Sequence, residues 1–185
     1  TTLFRSFYLD KIKISIYTWP KIDILFFNHI PMNFNGIYEK TVVIVKPDGV
    51  QRGLIGEVIG RLERKGIKIV GFKMANLTEA QLREHYSHHV EKPFYPGLQA
   101  FMMSSPVAVI CAEGKNVVEA VRIMAGATNG SKADAGTLRG DLAMGMCNVV
   151  HCSDSVDNGE AEVKRFFAEN EIFDYSKTDY LNVYM

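Results

Sequence analysis

Thr41-Val42-Val43-Ile44-Val45 is an unbroken run of β-branched residues that stops at Lys46-Pro47-Asp48-Gly49. Such side chains are stiff at χ1 and favour extended backbone, so the run fits a central strand buried on both faces. Pro47 has no N–H to continue a ladder and Asp48-Gly49 is turn chemistry, so the strand ends there and leaves Lys46 at its tip. A strand of this kind needs layers on either side, and the order of the later elements decides which. Ile55, Val58, Ile59 and Leu62 recur at helical spacing, with Arg61, Arg64 and Lys65 at the end and Gly66 as the stop. Ile67, Ile69 and Gly71 alternate with Lys68 and Val70 in a second strand that ends near Asn76. Thr78-x-x-Gln81 is a capping box that opens a short helix with Leu82 and Tyr86 on one face. Pro93 and Pro96 interrupt the chain beyond that helix, and Leu98 to Met103 reads as a further helical turn or two. Pro106 to Ala112 is a third strand, and Val117 to Ala125 a helix with Val118, Val121 and Ala125 inward. After a loop from Gly126 to about Met146, Val149 and Val150 open a short strand. Its alternation puts His151 and Val149 on one face and Val150 and Cys152 on the other. Asp157 or Asn158 then caps a last helix whose Val163, Phe166 and Phe167 face the core.

The order β-α-β, insert, β-α-β predicts an α+β sandwich. Its form is ferredoxin-like, βαββαβ, with a four-stranded antiparallel sheet and helices on one face. With 185 residues, 47% of them hydrophobic, the chain suffices for one domain and an appendage. The domain is expected over 37–185. Residues 1–36, rich in Ile, Phe, Tyr, Asn and Lys with no glycine before Gly36 and no regular period, read as a leader outside it. The first methionine is Met32, and the natural start is expected near it. The leader's longest uncharged run, Ile24 to Tyr38, is too short and polar for a membrane span, and no small-residue cleavage site comes after an apolar core. Lys+Arg and Asp+Glu both count 21, so there is no basic excess of the kind that neutralises a nucleic-acid backbone. Three cysteines without C-x-x-C spacing speak against a disulfide framework and for a reducing, cytoplasmic location.

The chemistry gathers toward His151, which sits at a strand end just before the polar Ser153-Asp154-Ser155 turn. The loop before it interleaves Thr128, Asn129, Lys132, Asp134, Thr137, Arg139 and Asp141 with glycines, and a loop of that length inside a compact domain tends to be functional. Lys46, Arg122 and Arg139 can converge on the same place, and cations around one histidine suit a polyphosphate with its terminal phosphoryl group at the imidazole. The plainer alternatives are a structural histidine, Arg122 paired with Glu119, Arg139 with Asp141, and Glu162 with Arg165. No Walker-type loop occurs. His85 and His89 have the i, i+4 spacing of a helical zinc pair, with His88 beside them, but no third ligand is evident.

Lys46-Pro-Asp-Gly-Val, Pro93-Phe94-Tyr95-Pro96-Gly97-Leu98, Gly136-Thr137-Leu138-Arg139-Gly140-Asp141 and Asn148-x-x-His151-x-Ser153-Asp154-Ser155 together resemble the nucleoside diphosphate kinases. The resemblance runs in order from about Lys40 to Met185. It implies transfer of the γ-phosphate of a nucleoside triphosphate, typically ATP, to a nucleoside diphosphate by a ping-pong route through a phosphohistidine, with broad base and sugar tolerance. By position, His151 resembles the nucleophile, Glu162 the carboxylate that orients it and Ser153 the hydroxyl in the same hydrogen-bond set. Lys46, Tyr86, Arg122, Thr128 and Arg139 resemble phosphate ligands, Asn148 with Lys46 the sugar ligands, and Phe94 with Leu98 the nucleobase site. Mg2+ is expected on the nucleotide phosphates rather than in a cage of protein ligands, with a water-mediated contact to Asp154. A homo-oligomer is implied, hexamer before tetramer, with no membrane and no nucleic acid required. Cys152 stands where the family usually has glycine or alanine, Cys147 where arginine is common and Ala135 where a loop proline is common.

Overall fold

The computed structural model describes residues 38–178 and Val183; the leader at 1–36, the start expected near Met32 and most of the C-terminal stretch 175–185 lie outside them. Strand β1 (Tyr38–Val45) runs into a short helix α1 (Pro47–Gln51), succeeded by α2 (Ile55–Arg64) and β2 (Lys68–Ala75). The insert carries α3 (Glu79–His85), a 3-10 turn at Ser87–His89 and α4 (Tyr95–Met102). Then come β3 (Val107–Lys115), α5 (Val117–Ala125), a 3-10 turn at Gly130–Lys132, α6 (Leu138–Leu142), β4 (Val150–Cys152) and α7 (Val156–Phe166). The four strands form one antiparallel sheet in the order β2-β3-β1-β4, the arrangement expected of two interleaved β-α-β units.

Both central strands are buried on both faces. Val43, Val45, Ala108, Ile110 and Ala112 pack with Val58 and Leu62 of α2 and Val117 and Val121 of α5. The alternate residues Val42, Ile44, Val107, Val109 and Cys111 pack with Leu82 of α3, Met102 of α4 and Phe166 of α7. The crossover helices α2 and α5 thus cover one face as the pattern predicts. The insert and α7 cover the second, which is why the β1 run carries no polar face.

Several local readings change. The Pro47-Asp48-Gly49 turn winds into α1, with Pro47 in its first turn where a missing N–H costs nothing. Helix α4 begins at Tyr95, ahead of the expected Leu98, because Pro96 also occupies a first turn. The loop from Gly126 to Met146 contains α6, whose N-cap Thr137 accepts from the Gly140 amide at 3.0 Å. A Cβ at Gly130 would lie 2.6 Å from the Ala143 carbonyl carbon, so only glycine lets the loop close on itself there. The N-cap of α7 is Ser155, accepting from the Asn158 amide at 3.2 Å, rather than Asp157 or Asn158.

The largest difference is at Val149. Its φ is 67°, and the Val150 N–H donates to the Asn148 carbonyl at 2.7 Å, so the chain makes a γ-turn just before β4. A β-branched residue in that region is strained by about 1–3 kcal/mol. Two contacts hold it: Val149 donates to Asp48 Oδ2 at 3.0 Å, and its carbonyl accepts from the Lys46 amide at 2.8 Å. The turn moves the Val149 side chain into the cluster of Val150 and Cys152, away from the face of His151 that strand alternation predicts for it.

Candidate active site

His151 pairs with Ile44 of β1 and therefore faces the side of the sheet covered by α3 and α7. Its Nε2 lies 3.1 Å from Glu162 Oε2 and 3.2 Å from Oε1. Ser153 stands behind, donating to Glu162 Oε2 at 2.7 Å while accepting from the Val42 amide at 3.1 Å. An anionic carboxylate at Nε2 stabilises the tautomer that carries its proton there and leaves the Nδ1 lone pair free. Burial pushes the Glu162 pKa up, but the hydrogen bonds and charge of His151, with His85 and Ser153, outweigh it and hold the group below its ordinary value. Glu162 is thus a buried carboxylate that stays ionised.

In front of His151 opens a cavity of about 780 Å³. It is lined by each expected residue, Lys46, Tyr86, Phe94, Leu98 and Arg122 among them, except the buried Ser153. Lys46 Nζ donates to Asn148 Oδ1 at 2.7 Å, and Asn148 Nδ2 donates to the Thr128 carbonyl at 2.5 Å, so three of the expected residues form one chain. Burial, then the charge of Arg139, lowers the Lys46 pKa to about 8. Arg139 is also buried: Nη1 donates to the Gly126 carbonyl at 2.8 Å and Nη2 to the Val150 carbonyl at 2.9 Å. That leaves one N–H on each of Nη1 and Nη2 for a ligand, while Nε is buried without a partner. Arg122 is exposed on α5. The Tyr86 ring is 6.3 Å from the His151 ring, and Phe94 stands 53% exposed at the outer mouth with half-buried Leu98. The floor is therefore cationic and buried, and the mouth aromatic and open. Such a site can hold a polyphosphate inward with a flat apolar group at the entrance.

The plainer pairings do not form among the described residues. Asp141 is held by Arg61 at 2.8 Å and Glu84 by Arg165 at 2.8 Å. The histidines do not gather as a helical zinc pair: α3 ends at His85, and His89 packs on His88 and Phe94 with ring centroids 3.9 and 5.3 Å away. Among the described residues, the one group of three metal-capable donors within 4.8 Å of one another is that of His85, His151 and Glu162, whose carboxylate His151 and Ser153 already engage. The cavity's carboxylates are Glu84, Asp154 and Glu162; the first and last are so occupied, and exposed Asp154 accepts from Asn158 Nδ2 at 2.6 Å and can still meet, through water, a cation carried in on phosphate oxygens. Two residues of this architecture are missed by sequence reasoning. Asp48 reads as turn chemistry, and its hold on the Val149 amide spans more than a hundred positions. His85 carries the pattern of a metal pair and lies against His151 instead.

The family model described as nucleoside diphosphate kinase matches residues 39–172. The chain belongs to the nucleoside diphosphate kinase family. A family member from Pyrococcus abyssi is 48% identical over 145 residues, covering 76% of this chain and 91% of the relative. One from Parabacteroides distasonis is 50% identical over 147 residues, covering 79% and 96%. Among solved structures, a halophilic family member from Halobacterium salinarum in complex with CDP aligns with a TM-score of 0.78 and 42% identity, over 80% of this chain and 100% of that one. A transition-state mimic from Borrelia burgdorferi, with bound vanadate and ADP, aligns with a TM-score of 0.74 and 35% identity, over 78% and 96%.

Proposed function

We propose that this chain transfers the γ-phosphate of a nucleoside triphosphate, typically ATP, to a nucleoside diphosphate in two half-reactions through a phosphohistidine on His151. The observation that carries the reading is the His151–Glu162–Ser153 arrangement, which frees Nδ1 at the floor of a cavity lined by Lys46, Arg122 and Arg139. In the first half, the Nδ1 lone pair attacks the γ-phosphorus in line and the diphosphate leaves; in the second, an acceptor diphosphate takes the phosphoryl group back by the reverse path. Positive charge developing on the imidazole is met by Glu162, and negative charge on the equatorial oxygens by the free N–H groups of Arg139, by Arg122, and by Tyr86 and Thr128. Lys46 and Asn148 reach the sugar hydroxyls. Phe94 and Leu98 offer the base a face without edge hydrogen bonds, which supports tolerance of purines and pyrimidines. Mg2+, carried in on the nucleotide phosphates, would supply charge neutralisation there, and Asp154 would help hold it through water.

The relatives solved with CDP and with ADP and vanadate support nucleotide substrates for this chain. Exposed Phe72 and Met74 on the edge strand β2 support a homo-oligomer, for which we retain the hexamer over the tetramer. Light scattering that gives a monomer mass at micromolar concentration sinks both. Among the described residues no helix is long and apolar enough to cross a membrane, and we retain a cytoplasmic location. The domain is taken as 37–185 with the leader outside it. The decisive test is incubation with γ-labelled ATP and magnesium, isolation of the protein, and addition of unlabelled GDP or CDP. Label should be acid-labile, alkali-stable, chased into the new triphosphate, and absent in His151→Gln. Label retained in that variant means that His151 is not the nucleophile.

A further inference from the structure

His85 is an imidazole that the proposed reaction does not use. It closes α3, buried, with neither ring nitrogen in a hydrogen bond to protein. Buried polar groups left this way call for an explanation. Its Nδ1 is 3.7 Å from Glu162 Oε1, just beyond hydrogen-bond length. Its ring meets those of His151 and Tyr86 edge-on with centroids 4.5 Å away, and that of Phe166 at 5.2 Å. Glu162 Oε2 already accepts from both Ser153 and His151, whereas Oε1 has only the longer contact to His151 at 3.2 Å. The under-served oxygen of the carboxylate is the one that His85 approaches.

We propose that His85 is a positioning residue, whose neutral Nδ1–H turned to Glu162 Oε1 holds the carboxylate, and through it the His151 imidazole, with His151 Nδ1 aimed into the cavity. The inference rests on the reading of His151 as nucleophile. The groups around His85 and Glu162 are Arg165 from α7, His151 from β4, and Tyr86 and His88 at and beyond the end of α3, with Cys152 near Glu162 from the other face of β4. Neutrality matters because the His151 ring becomes positive during attack, and a second cation packed edge-on against it would oppose that charge. Burial first, and the charge of His151 second, pull the His85 pKa down to about 3, so the ring stays neutral wherever the enzyme works.

Two substitutions separate positioning from packing. His85→Phe keeps a flat ring among Tyr86, His151 and Phe166 but removes the N–H; His85→Asn gives up the ring and sets an amide N–H near the position of Nδ1. Phosphoenzyme formation is measured by rapid quench between about pH 3.5 and 8 at several ATP concentrations, so that the window reaches the lowered range in which Glu162 takes up its proton. In His85→Phe the neutral-pH rate should fall about tenfold, the loss of one hydrogen bond to a charged acceptor, with ATP KM within about twofold. The acid limb of the profile should move to higher pH, because Glu162 with one donor fewer takes up a proton more readily. His85→Asn should return the limb to its wild-type position and most of the rate. A wild-type rate and limb in His85→Phe, or equal losses in both variants with an unmoved limb, overturns the proposal. If His85→Phe does not fold, His85→Asn alone decides, a limb displaced from wild type counting against it. His151→Gln run alongside keeps the two readings apart: label on that variant removes the nucleophile assignment whatever His85 does.

Discussion

Arg139→Lys tests whether one side chain both braces the site and binds phosphate. The guanidinium ties the 126–146 loop to β4 through Gly126 and Val150, one residue from His151 on the strand. Arg139 also lines the cavity. Lysine keeps the charge but concentrates its donors on a single atom, which cannot span two carbonyls and a phosphate together. Loss of one charged hydrogen bond to a carbonyl corresponds to about 1.5–3 kcal/mol. At about 2–4 °C per kcal/mol for a chain of this size, the nucleotide-free Tm should fall by about 3–12 °C. Loss of the fork on phosphate corresponds to a similar energy in the transition state, hence a fall of about 10- to 150-fold in kcat/KM. Calorimetric melts without nucleotide and initial rates with ATP and a diphosphate acceptor measure the two separately. Arg122→Ala is the control, because Arg122 is exposed on α5: it should show the kinetic loss with Tm moved by no more than about 1 °C. Lost activity with an unchanged Tm in Arg139→Lys would refute the brace, and a lowered Tm with full kcat/KM would take Arg139 off the phosphate.

Lys46, with a pKa of about 8 in the nucleotide-free protein, should lose its proton as pH rises from about 7 to 9, and diphosphate affinity measured by titration calorimetry should fall with it; Lys46→Arg, always charged, should flatten the dependence, and a flat wild-type profile contradicts the assignment. The unfolded chain keeps that proton up to the ordinary lysine value of 10.5, so between about 8 and 10.5 it binds more protons than the folded one and this group makes stability rise with pH. Urea melts across that window should lose the rise in Lys46→Met. Ser155→Ala removes the N-cap of the helix that carries Glu162 and should cost about 1 kcal/mol in a denaturant melt; an unchanged midpoint removes the cap from the account. Burial raises the Cys152 thiol above its ordinary pKa although Arg139 and Arg122 are near, so peroxide should leave Cys152 and buried Cys111 intact while exposed Cys147 reacts, as peptide mapping can show.

Whatever repeats locally was legible in the sequence. The β-branched run of β1, the helical spacing of α2 and α5 and the capping box of α3 reach the structure nearly unchanged, because a period of 2 or 3.6 and a cap three residues long need no distant partner. The polar floor and aromatic mouth of the cavity were legible too, but through the family resemblance rather than through periodicity. The features that escaped depend on groups far apart in sequence. Helices α3, α4 and α7 reveal which face they cover only when both faces of β1 are known to be apolar. Val149 is the sharper case. Two β-branched valines predict plain strand, and no local feature announces a positive φ. The turn exists because the Lys46 amide and the Asp48 carboxylate, at the far end of β1, take both hydrogen-bonding groups of one peptide residue. Its effect reaches the chemistry. Asn148, before the bend, accepts a hydrogen bond from Lys46 Nζ, while His151, after it, pairs with Ile44 and faces Glu162. Because side chains alternate along a strand, a shift of β4 by one residue would send His151 into the cluster of α2 and α5, away from Glu162 and the cavity. The strain at Val149 therefore sits where the strand's register and the lysine–asparagine pair are both fixed, and a valine there is held by tertiary contacts that its own propensity opposes.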